Sequence, residues 1–218
     1  MKRFIFVQRF MKTFLLVDDH YVVRAGIKAV LRSLYISCEV HEAADADSAI
    51  DQLKKNAYDL VLMDIQIPNN NMLGLMEHIH ARHSGTKVLM FSMSPESIYA
   101  KRFLKAGAMG FLAKDSPPEE IAKALNLVLN NRKYISSKLA EMLAMDVIAQ
   151  TPDNPFNKLS AREFEIVSLL LEGHSLNHVA QTLHLQVSTV GTHKARAFEK
   201  LGVGNIIQLK ELAGSYNM

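Results

Sequence analysis

The sequence predicts an α/β domain with a doubly wound, five-stranded parallel sheet, followed by a small all-α domain. Two observations support this prediction. Up to residue 131, short apolar runs alternate with amphipathic segments of helical length, which is typical of right-handed βαβ units. From residue 159 onward no segment has the character of a strand, and the apolar residues keep a helical spacing.

Five segments have the composition of strands. The strongest is residues 58–63, a nearly uninterrupted apolar run of the kind that is buried on both faces of a parallel sheet. It ends in Asp64, and Pro68 then prevents it from continuing the hydrogen-bond ladder. The other four strands are predicted at residues 12–17, 38–43, 87–91 and 109–113.

Helices are predicted between these strands. Residues 20–35 carry a stripe of apolar residues at helical spacing, and Asp47 is the expected cap of the next helix. Ser94 and Pro95 begin the helix after the fourth strand, with the proline in the first turn. The remaining two helices are predicted after the turn-forming residues 69–71 and from residue 116 to about residue 130.

Polar side chains stand at the carboxyl ends of four strands, which is the edge where open α/β sheets bind ligands. Asp18 and Asp19 follow the first strand, Asp64 the third, Ser92 the fourth and Lys114 the fifth. Adjacent carboxylates repel one another unless a cation or a proton intervenes, and all-oxygen ligation suits Mg²⁺. Each of these observations also has a simpler interpretation. An isolated pair of acids is equally typical of a helix cap, and a lone lysine after a strand, such as Lys114, is usually a solvated charge. Next to a metal site, the ammonium group of Lys114 is expected to pair with the oxygens of a phosphate group.

At these positions the chain resembles the response-regulator receiver domain, which has a flavodoxin-like fold. The residues that carry the resemblance are Asp18-Asp19, Asp64 with Pro68, Ser92 and residues 107–114, in matching order and spacing. The resemblance implies that Asp64 is the phosphoacceptor and that Asp18, Asp19 and Asp64 bind Mg²⁺. It also implies that Ser92 and Lys114 contact the phosphoryl group and that Phe111 is the switch aromatic. Ser92 stands where threonine is common in the family, and Phe111 where tyrosine is common.

The chemistry of these side chains agrees with that role. A carboxylate is an established covalent nucleophile toward phosphoryl groups. Mg²⁺ and Lys114 neutralise the charge on the transferring oxygens, so catalysis rests on positioning and electrostatics. A phosphatase-like hydrolase is the enzymatic alternative, but it needs a further general acid–base, and none stands out between residues 65 and 71. The sequence therefore predicts a regulator rather than an enzyme.

Composition places the chain among cytoplasmic globular proteins. It has 218 residues, 49% of them hydrophobic and 22% charged, and the single Cys38 excludes an internal disulfide framework. No apolar run approaches the roughly 18 residues of a membrane span. Lys2, Arg3 and Arg9 account for the whole net charge of +3, so the charge is no evidence for nucleic-acid binding.

The domain boundaries are predicted from changes in the spacing of apolar residues and in composition along the chain. Residues 1–10 precede a second methionine and are predicted to be an N-terminal extension from an upstream start codon. Residues 11–131 are predicted to form the receiver domain. Residues 132–158 are predicted to be a linker, with a weak helix from residue 138 to about residue 150 and prolines at 152 and 155. Residues 159–218 are predicted to form the second domain, with four short helices.

The helices of the second domain have clear start and stop signals. Ser160 and Glu163 form a capping box, and Gly173 ends that helix. The later helices are predicted to begin at Ser175, at a cap formed by Ser188, and near Asn205. Two short helices joined by a short turn have helix-turn-helix geometry, which is also common in small helical domains that do not bind DNA.

Five short sequence features make DNA binding a more specific prediction. They are residues 159–163, 172–173 and 187–190, His193 and residues 200–203. Together they resemble the LuxR-type DNA-binding domain over nearly all of residues 159–218. A receiver domain joined to a LuxR-type domain is the NarL/FixJ class of response regulator. The resemblance implies that residues 188–201 are the recognition helix, which lies in the major groove.

The recognition helix supplies the candidate DNA contacts. Its residues Val190, Ala197, Phe198 and Leu201 are predicted to face inward. The predicted DNA contacts are Ser188, Thr189, Thr192, His193, Lys194, Arg196 and Lys200. His193 serves equally well as a packing residue. Gly191 departs from the family, where lysine is common, and with Thr192 and Ala195 it makes a small-residue face that we expect to lie near thymine methyl groups.

These features predict a two-component response regulator. It receives a phosphoryl group on Asp64 from a sensor histidine kinase in a Mg²⁺-dependent reaction, and it regulates transcription by sequence-specific binding to double-stranded DNA. A phosphorylation-dependent homodimer is expected, and no membrane partner. The alternatives are a phosphorylation-independent DNA-binding regulator whose receiver serves dimerisation, and a module whose C-terminal helices bind protein instead of DNA.

Overall fold

A computed structural model describes residues 11–67, 72–94, 96–148, 154–183 and 185–216 of the chain. Several sequence predictions lie outside these residues, namely the extension at residues 1–10, the turn at Pro68 and residues 69–71, Pro95, and residues 149–153 of the linker. None of the helices in the described ranges combines the length and the apolar character that a bilayer crossing requires.

A five-stranded parallel sheet forms the centre of the first half of the chain. Its strands are β1 (Lys12–Val17), β2 (Cys38–Ala43), β3 (Leu60–Met63), β4 (Lys87–Ser92) and β5 (Gly110–Ala113), in the order β2-β1-β3-β4-β5. This is the flavodoxin-like order, whose topological switch point lies between β1 and β3. Val17 and Met63 are register partners, so the chain leaves β1 and β3 at the same edge. The predicted five-stranded parallel sheet is confirmed.

Helices cover both faces of this sheet. They are α1 (Tyr21–Leu34), α2 (Ala46–Lys55), α3 (Met72–Arg82), α4 (Glu96–Lys105) and α5 (Pro118–Leu129). Helices α2, α3 and α4 share an apolar core with one face, and α1 and α5 with the other. The prediction that Asp47 caps α2 is wrong. The N-cap is Asp45, whose carboxylate accepts a hydrogen bond of 2.7 Å from the amide of Ser48.

The chain after α5 packs back onto the sheet. Tyr134 forms an isolated parallel bridge with Gly110 of β5. A helix, α6 (Ser137–Ile148), follows in the region where the sequence predicted a weak helix, and Leu139 near its start is fully buried in the core beside α4. The hydroxyl of Ser136 donates to Glu96 Oε2 of α4 at 2.6 Å. Packing against the sheet and α4 therefore continues past residue 131.

The second half is helical throughout its described residues. It consists of a 3-10 turn (Pro155–Lys158), α7 (Ala161–Leu171), α8 (Leu176–Thr182), α9 (Val187–Leu201) and α10 (Ile206–Ser215) around a separate apolar core. The capping box of Ser160 and Glu163 and the start of α8 at Ser175 are confirmed, and the side chain of Ser175 caps α8. The prediction that Ser188 caps α9 is wrong, because the N-cap is Gln186 and Ser188 lies inside the first turn.

The two halves meet at α4 and α7. The ring of Tyr99 in α4 lies edge-on to the ring of Phe164 in α7, with the centroids 5.6 Å apart. The guanidinium of Arg102 lies over the same ring at 4.0 Å and donates to the carbonyls of Phe156 and Leu159 at 2.9 and 3.1 Å. Burial lowers the pKa of Arg102 to about 10. The helix that follows β4 is thus in direct contact with the first helix of the second domain.

Candidate functional site

Two buried carboxylates lie side by side where β1 and β3 end. Asp18 is 4% exposed and Asp64 is 3% exposed. The amide of Asp64 donates to the carbonyl of Val17 at 2.9 Å, so the two acids leave neighbouring strands at the same level. Asp18, Asp19, His20 and Asp64 each present a possible ligand atom, and these four atoms lie within 4.8 Å of one another. The structure therefore brings the three predicted metal ligands together at the sheet edge.

Lys114 reaches this cluster from the end of β5. Its Nζ lies 2.6 Å from Asp18 Oδ2 and 2.8 Å from Asp64 Oδ2. Burial alone would lower the pKa of Lys114, but its hydrogen bonds to Asp18 and Asp64 outweigh burial and raise the pKa above its ordinary value. Lys114 therefore stays an ammonium group at neutral pH, and its charge offsets those of the two buried acids.

Two donors hold the other oxygen of Asp64. The hydroxyl of Ser92 donates to Asp64 Oδ1 at 2.6 Å, and the amide of Ile65 donates to the same oxygen at 2.7 Å. Ser92 is wholly buried, and the amide of Ser94 donates to its hydroxyl oxygen at 3.3 Å. Donors from β4, from β5 and from its own chain neighbour thus fix both oxygens of Asp64.

Asp19 and His20 form the outer side of the cluster. Asp19 Oδ1 is buried and makes no hydrogen bond within the described chain, although His20 Nδ1 lies 2.8 Å away. The amide of His20 donates to Asp18 Oδ1 at 2.8 Å. A buried carboxylate oxygen without a hydrogen-bond donor, beside two further carboxylates, is a set of hard oxygen ligands that fits Mg²⁺. Sequence analysis missed His20, whose only signal is that it directly follows the acid pair.

The predicted switch aromatic, Phe111, lies inside the core. It is 1% exposed and belongs to the same apolar cluster as Phe103 of α4. Its partner in the sheet is Met90, two residues before Ser92. Phe111 therefore packs in the same core as α4, beside the strand that carries Ser92.

Helices α8 and α9 have the predicted helix-turn-helix arrangement. The four inward-facing residues of α9 are buried as predicted, namely Val190, Ala197, Phe198 and Leu201. The predicted DNA contacts divide into the exposed Ser188, Thr192, Arg196 and Lys200 and the half-buried Thr189, His193 and Lys194. A Cβ added to Gly191 would meet no atom of the described chain within 4 Å, so no contact inside the protein requires glycine there.

Lys200 has a partner inside its own domain. Its Nζ lies 2.7 Å from Oε2 of Glu163, whose side chain is 4% exposed. Burial alone would raise the pKa of Glu163, but Lys200 and the hydrogen bonds from Ser160 lower the pKa below its ordinary value. Lys200 therefore joins the end of α9 to the start of α7.

The other polar side chains of α9 differ in the contacts that they make within the domain. The ammonium of Lys194 lies 5.1 Å from the centre of the Phe198 ring. The hydroxyl of Thr192 donates to the carbonyl of Ser188, one turn earlier, at 3.1 Å. Arg196 is exposed and forms no ion pair with the residues that the structure describes. Arg196 is thus the cation of α9 most available to a ligand outside the domain.

Two family models match the chain. The model for the response regulator receiver domain matches residues 14–126, and the model for bacterial regulatory proteins of the luxR family matches residues 157–213. The response regulator UvrY of Escherichia coli K12 is 32% identical over 200 residues, which cover 91% of this chain and 92% of UvrY. The response regulator GacA of Pseudomonas aeruginosa is 30% identical over 205 residues, covering 94% of this chain and 96% of GacA.

Solved structures share the fold over both halves. RcsB from Salmonella enterica serovar Typhimurium, bound to promoter rprA in the presence of the phosphomimetic BeF3−, matches with a TM-score of 0.70 over 94% of this chain and 98% of RcsB. A second structure of Salmonella typhimurium RcsB matches with a TM-score of 0.73 and the same coverage. Both are 22% identical in sequence, a level at which the likeness shows the fold.

Proposed function

The chain belongs to the response regulators of the NarL/FixJ class, and we propose that it accepts a phosphoryl group on Asp64 and in response regulates transcription by binding DNA. Membership rests on the two family models and on relatives that are 30–32% identical along nearly the whole chain. The family acts in transcription regulation rather than in enzymatic turnover. The single observation that supports Asp64 as phosphoacceptor is its position between Ser92, Lys114 and two further acids.

The phosphoryl group comes from a phosphohistidine of a sensor histidine kinase, the partner that a receiver domain implies. An oxygen of the Asp64 carboxylate attacks phosphorus and forms an acyl phosphate, while the P–N bond breaks and its electron pair returns to the imidazole. The carboxylate needs little reorientation for this attack, because Ser92 and Ile65 hold one of its oxygens and Lys114 holds the other.

Charge stabilisation comes from two sources. Asp18, Asp19 and Asp64 are the residues that would hold Mg²⁺, which supplies positive charge beside the transferring oxygens when it is bound. Lys114 adds a second positive charge from the protein itself. The hydroxyl of Ser92 lies 2.6 Å from Asp64 Oδ1, so it is also within reach of an oxygen of a phosphoryl group whose phosphorus is bonded to that atom.

The structural effect of phosphorylation at Asp64 is transmitted through the segment from Ser92 to Phe111. A phosphoryl group that engages the Ser92 hydroxyl competes with its present hydrogen bond to Asp64. Ser92 ends β4, the strand that leads into α4, so we infer that this change alters the packing of α4 in the core that contains Phe111. Helix α4 carries Tyr99 and Arg102, which contact the second domain. The DNA-binding half is therefore mechanically joined to the acidic site through one helix.

Helix α9 is the proposed recognition helix, and a homodimer is the proposed binding form. The match to the luxR family and the exposed polar face of α9 support the first part. Residues 159–218 carry as many acids as bases, so a single copy has little electrostatic attraction for DNA and a second copy adds needed contacts. RcsB, which shares the fold, has been solved as two dimers bound to two parallel DNAs. A cytoplasmic location is part of the proposal because the DNA target lies there.

Selection of bound sequences tests this function. The full-length chain, treated with acetyl phosphate and Mg²⁺, is mixed with a pool of random duplexes, and Asp64→Asn is treated in parallel. We expect the duplexes bound by the treated wild-type chain to be enriched in two half-sites whose centres lie about 10 base pairs apart. Binding of these sequences by Asp64→Asn should be about tenfold weaker, a typical coupling between two sites. Equal enrichment by both proteins would indicate a phosphorylation-independent regulator, and no enrichment by either would indicate a protein-binding role for α8 and α9.

A further inference from the structure

A cavity of about 570 Å³ lies between the two halves of the chain, beside the acidic site. One wall is formed by Ile65 and Ile67, which follow the phosphoacceptor, and by Phe103 of α4. The other wall is formed by Phe164 of α7 and by Leu183 after α8. Binding sites for small organic molecules measure roughly 300–1,000 Å³ and are mainly apolar. The volume and the walls of this cavity are those of such a site.

Flat side chains border much of the cavity. Tyr99 and Phe164 meet edge to face with their ring centroids 5.6 Å apart. His174 and His178 stack with their ring centroids 4.4 Å apart. Planar groups of this kind pack favourably against another planar ring. The shape of the lining therefore favours a ligand that contains a ring.

The described lining offers an anion little free positive charge. Arg102 is the only lysine or arginine among the described lining residues, and its guanidinium already donates to two backbone carbonyls. The lining acids are Glu165, which is paired with Arg162, and Glu172, which lies beside His174. We propose that this cavity binds an uncharged, ring-containing small molecule. Because the walls come from both halves, the bound molecule stabilises their docked arrangement.

A matched pair of fluorescent probes tests the site on the full-length chain. N-phenyl-1-naphthylamine is uncharged and has one N–H group, and 8-anilino-1-naphthalenesulfonate carries the same rings with an added sulfonate. We expect saturable binding of the uncharged probe at one site per chain, and binding of the sulfonate that is weaker by about tenfold or more.

A cavity-filling variant and its control locate the binding. Leu169→Trp enlarges a half-buried side chain that lines the cavity, and Leu212→Trp makes the same change at a half-buried leucine of α10 that does not. We expect the first variant to lose the uncharged probe and the second to retain it. Equal affinities of the two variants for the probe, or preference of the chain for the sulfonate, would overturn the proposal.

Methyl NMR of the unmodified chain gives a result that does not depend on the variants folding. With isoleucine methyl labels, the uncharged probe should shift the signals of Ile65 and Ile67. It should leave unchanged Ile121, which lies in the core on the opposite face of the sheet. Absence of saturable shifts, or shifts confined to the exposed Ile206 and Ile207 of α10, would refute the cavity as the site. Either result leaves the proposed phosphorylation of Asp64 untouched, because that reaction does not involve the cavity.

Discussion

Asp18 and Asp64, which are 4% and 3% exposed, share the single ammonium group of Lys114. Buried carboxylates this close together repel each other strongly unless a cation lies beside them. Lys114 supplies one positive charge, and the oxygen set of Asp18, Asp19 and Asp64 is suited to hold a second as Mg²⁺. The stability of the metal-free protein should therefore depend on Lys114, and its response to Mg²⁺ should grow when Lys114 is removed.

We expect Lys114→Met to lower the free energy of unfolding by about 3 kcal/mol at pH 7 without Mg²⁺, because one partner of a buried ion pair is lost. Lys123→Met is the control, since it breaks an exposed pair with Glu120 and should change the free energy by less than about 1 kcal/mol. Urea denaturation with and without Mg²⁺ measures both variants. Mg²⁺ should stabilise Lys114→Met more than the wild type, and equal stabilisation of the two would contradict this account of the site.

Lys200 is predicted to contact DNA, and the structure also pairs its ammonium group with the buried Glu163 of the same domain. The folded-state pKa of Glu163 is lowered, so the pair contributes stability that is fully present above the unfolded pKa of about 4.3. That contribution is lost as the pH falls through the lower folded-state pKa.

Lys200→Met should therefore reduce the stability of the chain at pH 6 and flatten its dependence on pH below about pH 4.5. Lys210→Met, at an exposed position of α10, is the matched control and should keep the wild-type profile. Thermal melting of the three proteins between pH 3 and pH 6 is the measurement. Parallel profiles for Lys200→Met and the wild type would mean that the ion pair with Glu163 adds no stability.

Helix starts show how far local sequence determines an element. The predicted capping box at Ser160 and the predicted helix starts at Ser175 and Asn205 are confirmed, and in the structure all three residues cap their helices. Helix α2 begins earlier than predicted. Asp45, Asp47 and Ser48 are all residue types that favour cap positions, and in the structure Asp45 is the cap, with Ser48 as its reciprocal partner.

Paired substitutions measure the cap of α2. Asp45→Ala should lower the free energy of unfolding by about 1 kcal/mol, since it removes the side-chain hydrogen bond to the amide of Ser48. Asp47→Ala removes only a first-turn charge and should cost about 0.3–1 kcal/mol at low salt and less at high salt. Urea denaturation in low and high salt separates the two effects. A larger loss for Asp47→Ala at high salt would show that the cap is misassigned.

Helix α4 joins the two halves through a small number of side chains. We expect Arg102→Met to loosen the docking of α7, because it removes hydrogen bonds to the carbonyls of Phe156 and Leu159. Lys105→Met, at an exposed position of the same helix, is the control. Small-angle scattering should report a larger radius of gyration for Arg102→Met than for the control. Identical scattering from the two variants would mean that Arg102 does not hold the domains together.

Across the whole molecule, some features were predictable because the chain dictates them locally. The apolar runs predict the parallel strands, and parallel strands bring Asp18, Asp64 and Lys114 to one edge wherever the helices pack. The contact between the halves was not predictable, because Tyr99 and Phe164 meet without any sequence spacing that relates them. The same holds for the cavity, whose walls come from four separate elements.

The intact mass of the chain shows whether Asp64 carries the phosphoryl group. The protein and Asp64→Asn are each incubated with acetyl phosphate and Mg²⁺, and their masses are measured by mass spectrometry. We expect a gain of one phosphoryl group in the wild type, none in Asp64→Asn, and none in the wild type when Mg²⁺ is removed with a chelator. No gain in the wild type, or a gain that survives Asp64→Asn, would contradict the assignment of Asp64 as phosphoacceptor.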